Sequence, residues 1–196
     1  LIDRGSPLRA LPICFVLGLT AFYLNWRWTS TLPPAGLSVD FAAGSLFLFI
    51  ETAAVFGSVL SYITLTRTKS RTPEVESNLP WLDSLERKPL VDVFICTYNE
   101  ECEILERTIV GATGMDYANY RVWVLDDGRR AWLKQLAEAL GCNYLTRPDN
   151  AHAKAGNINH ALAHVSGLRE RRDFISVLDA DFVPTPVLLS RALTLF

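Results

Sequence analysis

Phe41 to Leu65 is a run of 25 residues carrying one charge, Glu51. A helix of about 20 mostly apolar residues, rising 1.5 Å each, crosses a hydrocarbon core of about 30 Å. A stretch of this length and composition is therefore expected to span a membrane. An earlier run, Leu11 to about Trp28, has Arg27 as its only charge. It reaches the required length if Arg27 snorkels outward while Trp26 and Trp28 lie at headgroup level. A signal peptide is the competing reading of this run, but no small-residue cleavage site follows it and a second apolar run does. Burial of both runs inside a soluble protein is the other alternative. The expectation is two transmembrane helices, about 11–28 and 41–65. Glu51 stays open between a functional polar site and a structural pairing with the neighbouring helix.

Basic residues give the orientation. Arg4 and Arg9 precede the first run, and Arg67, Lys69 and Arg71 follow the second. The connecting loop, with TSTLPPAGLS at its centre, has charges only at its edges, Arg27 and Asp40. By the positive-inside rule both ends are cytoplasmic and everything after Thr66 faces the cytosol. Residues 1–66 are thus expected to form a membrane hairpin. Residues 67–89, rich in Thr, Ser, Pro and charge, read as a cytosolic linker, and 90–196 as a soluble domain. The total charge of −2 supplies no basic stripe, which argues against nucleic acid as a partner. Four scattered cysteines, Cys14, Cys96, Cys102 and Cys142, have neither zinc nor disulfide spacing. Cys14 and Cys96 read as small buried hydrophobes.

The soluble part alternates two periods. Val91–Thr97, Arg121–Leu125, Asn143–Thr146 and Phe174–Leu178 read as strands. Between them Leu105/Thr108/Ile109/Ala112, Leu133/Leu136/Ala137/Leu140 and Ile158/Ala161/Leu162/Val165 mark helical faces. Strands alternating with such helices imply βαβ units, an α/β fold and a mostly parallel sheet. Ligands of such sheets bind beyond the carboxyl ends of the strands. Three strands end in their most polar residues: Tyr98-Asn99-Glu100, Asp126-Asp127 and Asp179-Ala180-Asp181.

Each motif carries two readings at this level. Asp179 and Asp181, at i and i+2, are either a polar loop or the carboxylates of a hard divalent cation that bridges substrate phosphates. Asp126-Asp127-Gly128 is either a turn or a hydrogen-bond acceptor for a base or ribose. His152-Ala-Lys154-Ala-Gly156-Asn157 opens a helix, so it is either a solvated cap or an anion site. Tyr98 and Glu100 are loop caps or the wall of a pocket. No Walker loop, GxGxxG or GxSxG elbow occurs, which removes support for P-loop, hydride-transfer and triad chemistry.

The ordered set TYNE (Thr97–Glu100), VLDDG (Val124–Gly128), HAKAGN (His152–Asn157) and DAD with FVP (Asp179–Pro184) resembles the bacterial cellulose synthase catalytic subunits, processive family-2 glycosyltransferases. Tyr23–Pro33 (YLNWRWTSTLP) looks like the same family. TYNE and DDG are shared across family 2, whereas HAKAGN is narrower. The resemblance implies an A-type glycosyltransferase fold of which this chain carries the first, nucleotide-sugar-binding half, after its membrane helices. It implies that Asp127, with Asp126 beside it, contacts the uracil of a UDP-sugar. Tyr98 and Glu100 line that pocket, His152 and Lys154 hold the diphosphate, Asp179 binds the sugar-nucleotide, and Asp181 binds Mg2+ or Mn2+.

The implied activity moves glucose from UDP-glucose to the non-reducing end of a growing β-1,4-glucan, with inversion. The implied location is the bacterial inner (plasma) membrane, multi-pass, with other synthase subunits, lipid bilayer and the glucan chain as partners. The family's TED motif, which carries the general base, and its QxxRW motif do not occur in this chain. The domain at 90–196 is therefore expected to be partial and truncated at its C-terminus, and inactive alone. The cyclic-di-GMP-binding domain of the bacterial enzymes is not present either. Curdlan or mixed-linkage glucan synthesis, and a non-catalytic nucleotide-sugar-binding membrane module, are the alternatives.

Overall fold

The computed structural model describes residues 10–66, 69–168 and 172–196. Arg4, Arg9 and Arg67, used above for orientation, lie outside the described residues. The chain divides into two compact units between Arg71 and Thr72.

The first unit contains helix α1 (Ala10–Trp26), a π-helical turn over Arg27–Thr31 and helix α2 (Val39–Thr66). Leu32 ends the turn in extended geometry, φ −71° and ψ 130°. It precedes Pro33, whose ring disfavours helical backbone at the residue before it. Hydroxyls along the helices are satisfied internally: Thr20, Thr52, Ser58, Ser61 and Thr64 each donate to the carbonyl four residues back. That suits an environment without water. Among the described residues one helix, over Val39–Leu65, is long and apolar enough to cross a membrane. For the first run of the two-span expectation no helix of that length is found among the described residues. The α-helical part of the first run is 17 residues, short of the roughly 20 that a span requires, because the chain shifts to π geometry at Arg27. Cys14, expected to be buried, is exposed on α1.

Glu51 resolves toward the structural reading. Arg27 Nε donates to its Oε2 at 2.9 Å and Tyr23 Oη to its Oε1 at 2.5 Å. Trp28 Nε1 donates to Thr52 Oγ1 at 3.3 Å. An ion pair and two further hydrogen bonds thus join α1 and its π turn to α2.

The second unit is a four-stranded sheet of order β3-β2-β1-β4. Its strands are β1 (Val91–Thr97), β2 (Tyr120–Asp126), β3 (Asn143–Leu145) and β4 (Phe174–Asp179), and all pairings are parallel. Helices α4 (Cys102–Thr113), α5 (Ala131–Ala139) and α6 (Ala153–Ser166) are the crossovers. Val91, Val93 and Ile95 of β1 pack with Leu105 and Ile109 of α4 and Leu133 and Ala137 of α5. Phe94 and Cys96 point the other way, toward Ala161 and Val165 of α6. With helices on both faces, β1 is buried along its whole length and reads as a continuous apolar run.

Part of the stretch expected as a linker is helical. Helix α3 (Thr72–Ser84) begins with Pro73 in its first turn, where a missing N–H costs nothing, and contains Pro80. Its Val75 and Leu82 are buried, and Asn78 Nδ2 donates to Thr194 O at 2.9 Å just past helix α7 (Leu188–Leu193).

Asp92 is the exception in β1, a carboxylate with no accessible surface. Arg121 grips both of its oxygens, at 2.8 and 3.0 Å, and Trp123 Nε1 donates to it at 2.9 Å. Removing one member of such a buried network strands the others. Asp92→Ala is expected to destabilise the protein by about 3–5 kcal/mol, read from urea unfolding of the detergent-purified protein by tryptophan fluorescence. A loss below about 1 kcal/mol, the range of an exposed ion pair, would show that the network contributes little.

Candidate active site

The parallel register sets which residues meet at the carboxyl edge. Thr97 lies beside Asp126, and Cys96 beside Asp179. The three loops that leave β1, β2 and β4 therefore start from one line.

The TYNE loop is closed on itself. Glu100 Oε2 accepts from Thr97 Oγ1 at 2.5 Å and from the Tyr98 N–H at 2.8 Å. Burial pushes the Glu100 carboxyl up, but the Thr97 and Tyr98 hydrogen bonds, helped by nearby Arg130, outweigh it and hold the group below its ordinary range. The exposed ring of Tyr98 stands at the cleft.

The two aspartates of DDG have different surroundings. Asp126 is fully buried. Its Oδ1 accepts from Gly128 N and from Arg130 Nε and Nη2; its Oδ2 accepts from Arg130 N and Tyr144 Oη. The Tyr144 phenol is raised well above its usual value by burial and by that bond. Placed beside Asp127 in base recognition by resemblance, Asp126 instead turns into the protein and holds the loop. Asp127 lines the cleft. Arg147 donates to both its oxygens at 2.7 Å, leaving each oxygen room for one more donor. Gly128 is required by proximity: a Cβ there would sit 2.2 Å from Tyr98 O.

The third wall is the segment that opens α6. His152 and Ala153 both have positive φ, 61° and 45°. Gly156 fits because a Cβ would lie 2.0 Å from Ala151 O and 2.5 Å from Arg147 Nη1. Asn157, buried, ties α6 to the end of β2 through Leu125 O at 3.0 Å. Lys154 lines the cleft and forms an ion pair with Asp179, which with lesser help from neighbouring charges raises its pKa against a partial loss from burial. His152 is exposed and does not line the cleft.

Asp181 is exposed on the same turn as Asp179. That turn is pinned from below, since Thr108 of α4 donates to Ala180 O at 2.7 Å. The resulting cleft is about 310 Å³ and is lined by Tyr98, Glu100, Asp127, Asn150, Lys154 and Asn157, with Cys96, Thr97 and Ala153 at its floor and side. That volume is the size of a small-molecule site.

A sequence reading of the motifs missed Arg129, Arg130, Arg147 and Asn150. Arg130 donates to Thr97 Oγ1 at 2.7 Å and Glu100 O at 2.8 Å. Arg129, itself at φ 53°, reaches Asn150 Oδ1 at 2.6 Å and Arg147 O at 3.0 Å. One signal was present: β3 also ends in polar residues, Thr146-Arg147, as the other three strands do.

The model of the family described as glycosyl transferase family 2 matches residues 92–196. The chain belongs to glycosyl transferase family 2. It is 39% identical over 175 residues to the UDP-forming cellulose synthase 1 catalytic subunit of Komagataeibacter xylinus, covering 85% of this chain and 21% of that protein. It is 39% identical over 204 residues to the UDP-forming cellulose synthase catalytic subunit of Pseudomonas fluorescens, covering all of this chain and 26% of that one. The chain thus spans between a tenth and about a quarter of the length of the curated relatives it matches. Among solved structures, a mannosyltransferase of Pyrobaculum calidifontis in complex with GDP-Man and Mn2+ matches with a TM-score of 0.49 and 21% identity, over 73% of this chain and 41% of that one.

For a family 2 glycosyltransferase the metal question can be put to the residues. Among the described residues no three His, Cys, Asp or Glu side chains converge into a metal cage. Asp179 and Asp181 offer a hard, two-carboxylate set at an exposed turn. Such a set fits Mg2+ or Mn2+, which complete their shells with phosphate oxygens and water.

Cys96 borders the cleft, yet burial pushes its thiol up to about 11, and Cys142 likewise to about 11. Both are then almost wholly protonated at pH 8, and the thiolate is the reactive form. Maleimide at pH 8 is expected to modify exposed Cys102 in the folded glycosyltransferase and spare Cys96 and Cys142, as read by peptide mass mapping. Equal rates at Cys96 and Cys102 would contradict the burial.

Proposed function

We propose that the protein is a membrane-embedded processive glycosyltransferase that transfers glucose from UDP-glucose to the non-reducing end of a growing β-1,4-glucan, inverting the anomeric carbon. The observation carrying this reading is that TYNE, DDG and HAKAGN line one cleft at the sheet edge, with DAD outside its lining but joined to it through the Lys154–Asp179 ion pair, in a chain similar over most of its length to UDP-forming cellulose synthase catalytic subunits.

In this reading one of the two open acceptor sites of Asp127 takes the N3–H of a uracil, and Tyr98 covers the ring face. The Lys154 ammonium, at the start of α6, holds the diphosphate together with the helix's free N–H groups. When bound, Mg2+ or Mn2+ held by Asp181, with Asp179 beside it, would neutralise charge on the departing UDP. Lys154 keeps Asp179 oriented through their ion pair. His152, outside the cleft, stands by the diphosphate. No general base is assigned among these residues. Asp126 is buried and saturated, Asp127 is held by Arg147, and Asp179 by Lys154.

Residues 1–66 form the membrane hairpin in this proposal, with the α1 segment spanning at its thin limit and the Pro33-Pro34 loop outside. Residues 67–89 then connect it to a cytosolic catalytic domain at 90–196, associated in the bacterial inner membrane with further synthase subunits.

The test is incorporation of labelled glucose from UDP-glucose in membranes containing the protein, with Mg2+. Cellulase-sensitive polymer is expected, falling at least about 100-fold in Asp181→Ala. Cellulase-resistant polymer would move the product to curdlan, mixed-linkage glucan or another β-glycan. No incorporation from any UDP-sugar by folded protein would leave a nucleotide-sugar-binding module.

A further inference from the structure

Arg147 touches no substrate in the function above, yet it is the most deeply buried cation of the site. It is buried, and its guanidinium makes four hydrogen bonds to two different walls of the cleft. Nε and Nη2 hold Asp127 at 2.7 Å each, while Nη1 reaches Ala151 O at 2.5 Å and Nη2 reaches Ala153 O at 2.8 Å. Between those two carbonyls lies His152, and both His152 and Ala153 are left-handed. Two consecutive non-glycine residues in that region persist only where the surroundings fix them. Here the fixing group is the same guanidinium that orients Asp127. Lys154 follows directly.

A second strut runs in parallel. Asn150 Nδ2 donates to Asp127 O at 3.2 Å, and Arg129 reaches Asn150 Oδ1 and Arg147 O. Gly156 closes the arrangement from the helix side, since any Cβ there would meet both Ala151 O and Arg147 Nη1. A buried ion pair is weak evidence for stability, because desolvation offsets its attraction. Its geometry is the informative part: one planar fork spans a carboxylate and two carbonyls, which an ammonium cannot do.

We propose that Arg147 is a positioning residue that makes the Asp127 carboxylate and the Lys154 loop one rigid element, so that the base and the diphosphate of a nucleotide are bound with coupled rather than independent affinity. This rests on the donor-site reading above and adds to it a residue and a coupling. Asp127 cannot shift toward a base without moving the guanidinium, and the guanidinium cannot move without releasing the backbone that presents Lys154.

The test uses the protein in its membranes with Mg2+ and measures competition by uridine and, separately, by inorganic pyrophosphate against a labelled UDP-sugar. Arg147→Lys is expected to weaken both competitors by at least about 10-fold, as loss of bidentate geometry propagates to both walls. Asp127→Asn, which leaves the Arg147 fork half paired, is expected to weaken both competitors, and Lys154→Ala, which removes only the ammonium, pyrophosphate alone. Arg121→Lys, which alters an equally bidentate ion pair at the opposite end of the sheet, is expected to leave both unchanged.

If Arg147→Lys lowers the thermal midpoint more than Arg121→Lys does, Gly156→Ala decides. It presses on Arg147 and Ala151 without reaching Asp127, and the proposal requires it to weaken uridine as well as pyrophosphate. A loss confined to one competitor in Arg147→Lys or Gly156→Ala, with wild type binding both, overturns the coupling and leaves the donor site standing. Wild type binding neither competitor overturns the donor-site reading and the coupling together.

Discussion

A carboxylate with no accessible surface holds the mouth of the cleft in shape. Asp126 ends β2 and accepts from the Gly128 and Arg130 backbone, from the Arg130 guanidinium and from Tyr144 of β3. Through Arg130 it also fixes the loop after β1, because that guanidinium continues to Thr97 Oγ1 and Glu100 O. A buried charge of this kind is tolerable only when its acceptor sites are filled. Each loop that fills them is placed as a consequence. Asp127, one residue on, is thereby turned outward into the cleft with Arg147 behind it. The division of labour between two adjacent aspartates follows from strand geometry, which sends successive side chains to opposite sides.

The same logic operates in the first unit. Glu51 sits within the one long apolar helix, and Arg27 and Tyr23 meet it from the end of α1. In hydrocarbon an unpaired carboxylate is costly, so the pair fixes how the two helices of this unit register against each other. The π turn at Arg27–Thr31 is part of that arrangement, since Arg27 Nη1 also reaches Thr31 Oγ1 at 2.5 Å.

Much of the fold was legible because its signals are local and repetitive. The apolar run at Val91–Thr97 is β1 with those bounds, and the helical faces of α4, α5 and α6 are the buried ones. Parallel topology followed from alternation alone. Two things were not legible. Helix α3 was read as a linker because Pro73 and Pro80 weigh against a helix, whereas burial of Val75 and Leu82 against the rest of its unit carries it. The arginines at 129, 130 and 147 were silent because a charged residue in a loop normally reads as solvated surface. Their meaning lies in partners that come from other loops and are brought near only by the sheet register. The motifs named the cleft's lining at Tyr98, Glu100, Asp127 and Lys154, but not the framework that aims it.

The central claim is that the loops after β1, β2 and β3 enclose one nucleotide-sugar site. Photolabelling with an azido-uridine UDP-glucose probe in membranes, followed by peptide mapping, addresses it most directly. The account predicts label on the peptides containing Tyr98 and the segment 150–157, abolished by excess UDP. Label confined to other peptides, or label on these that UDP does not displace, would contradict it.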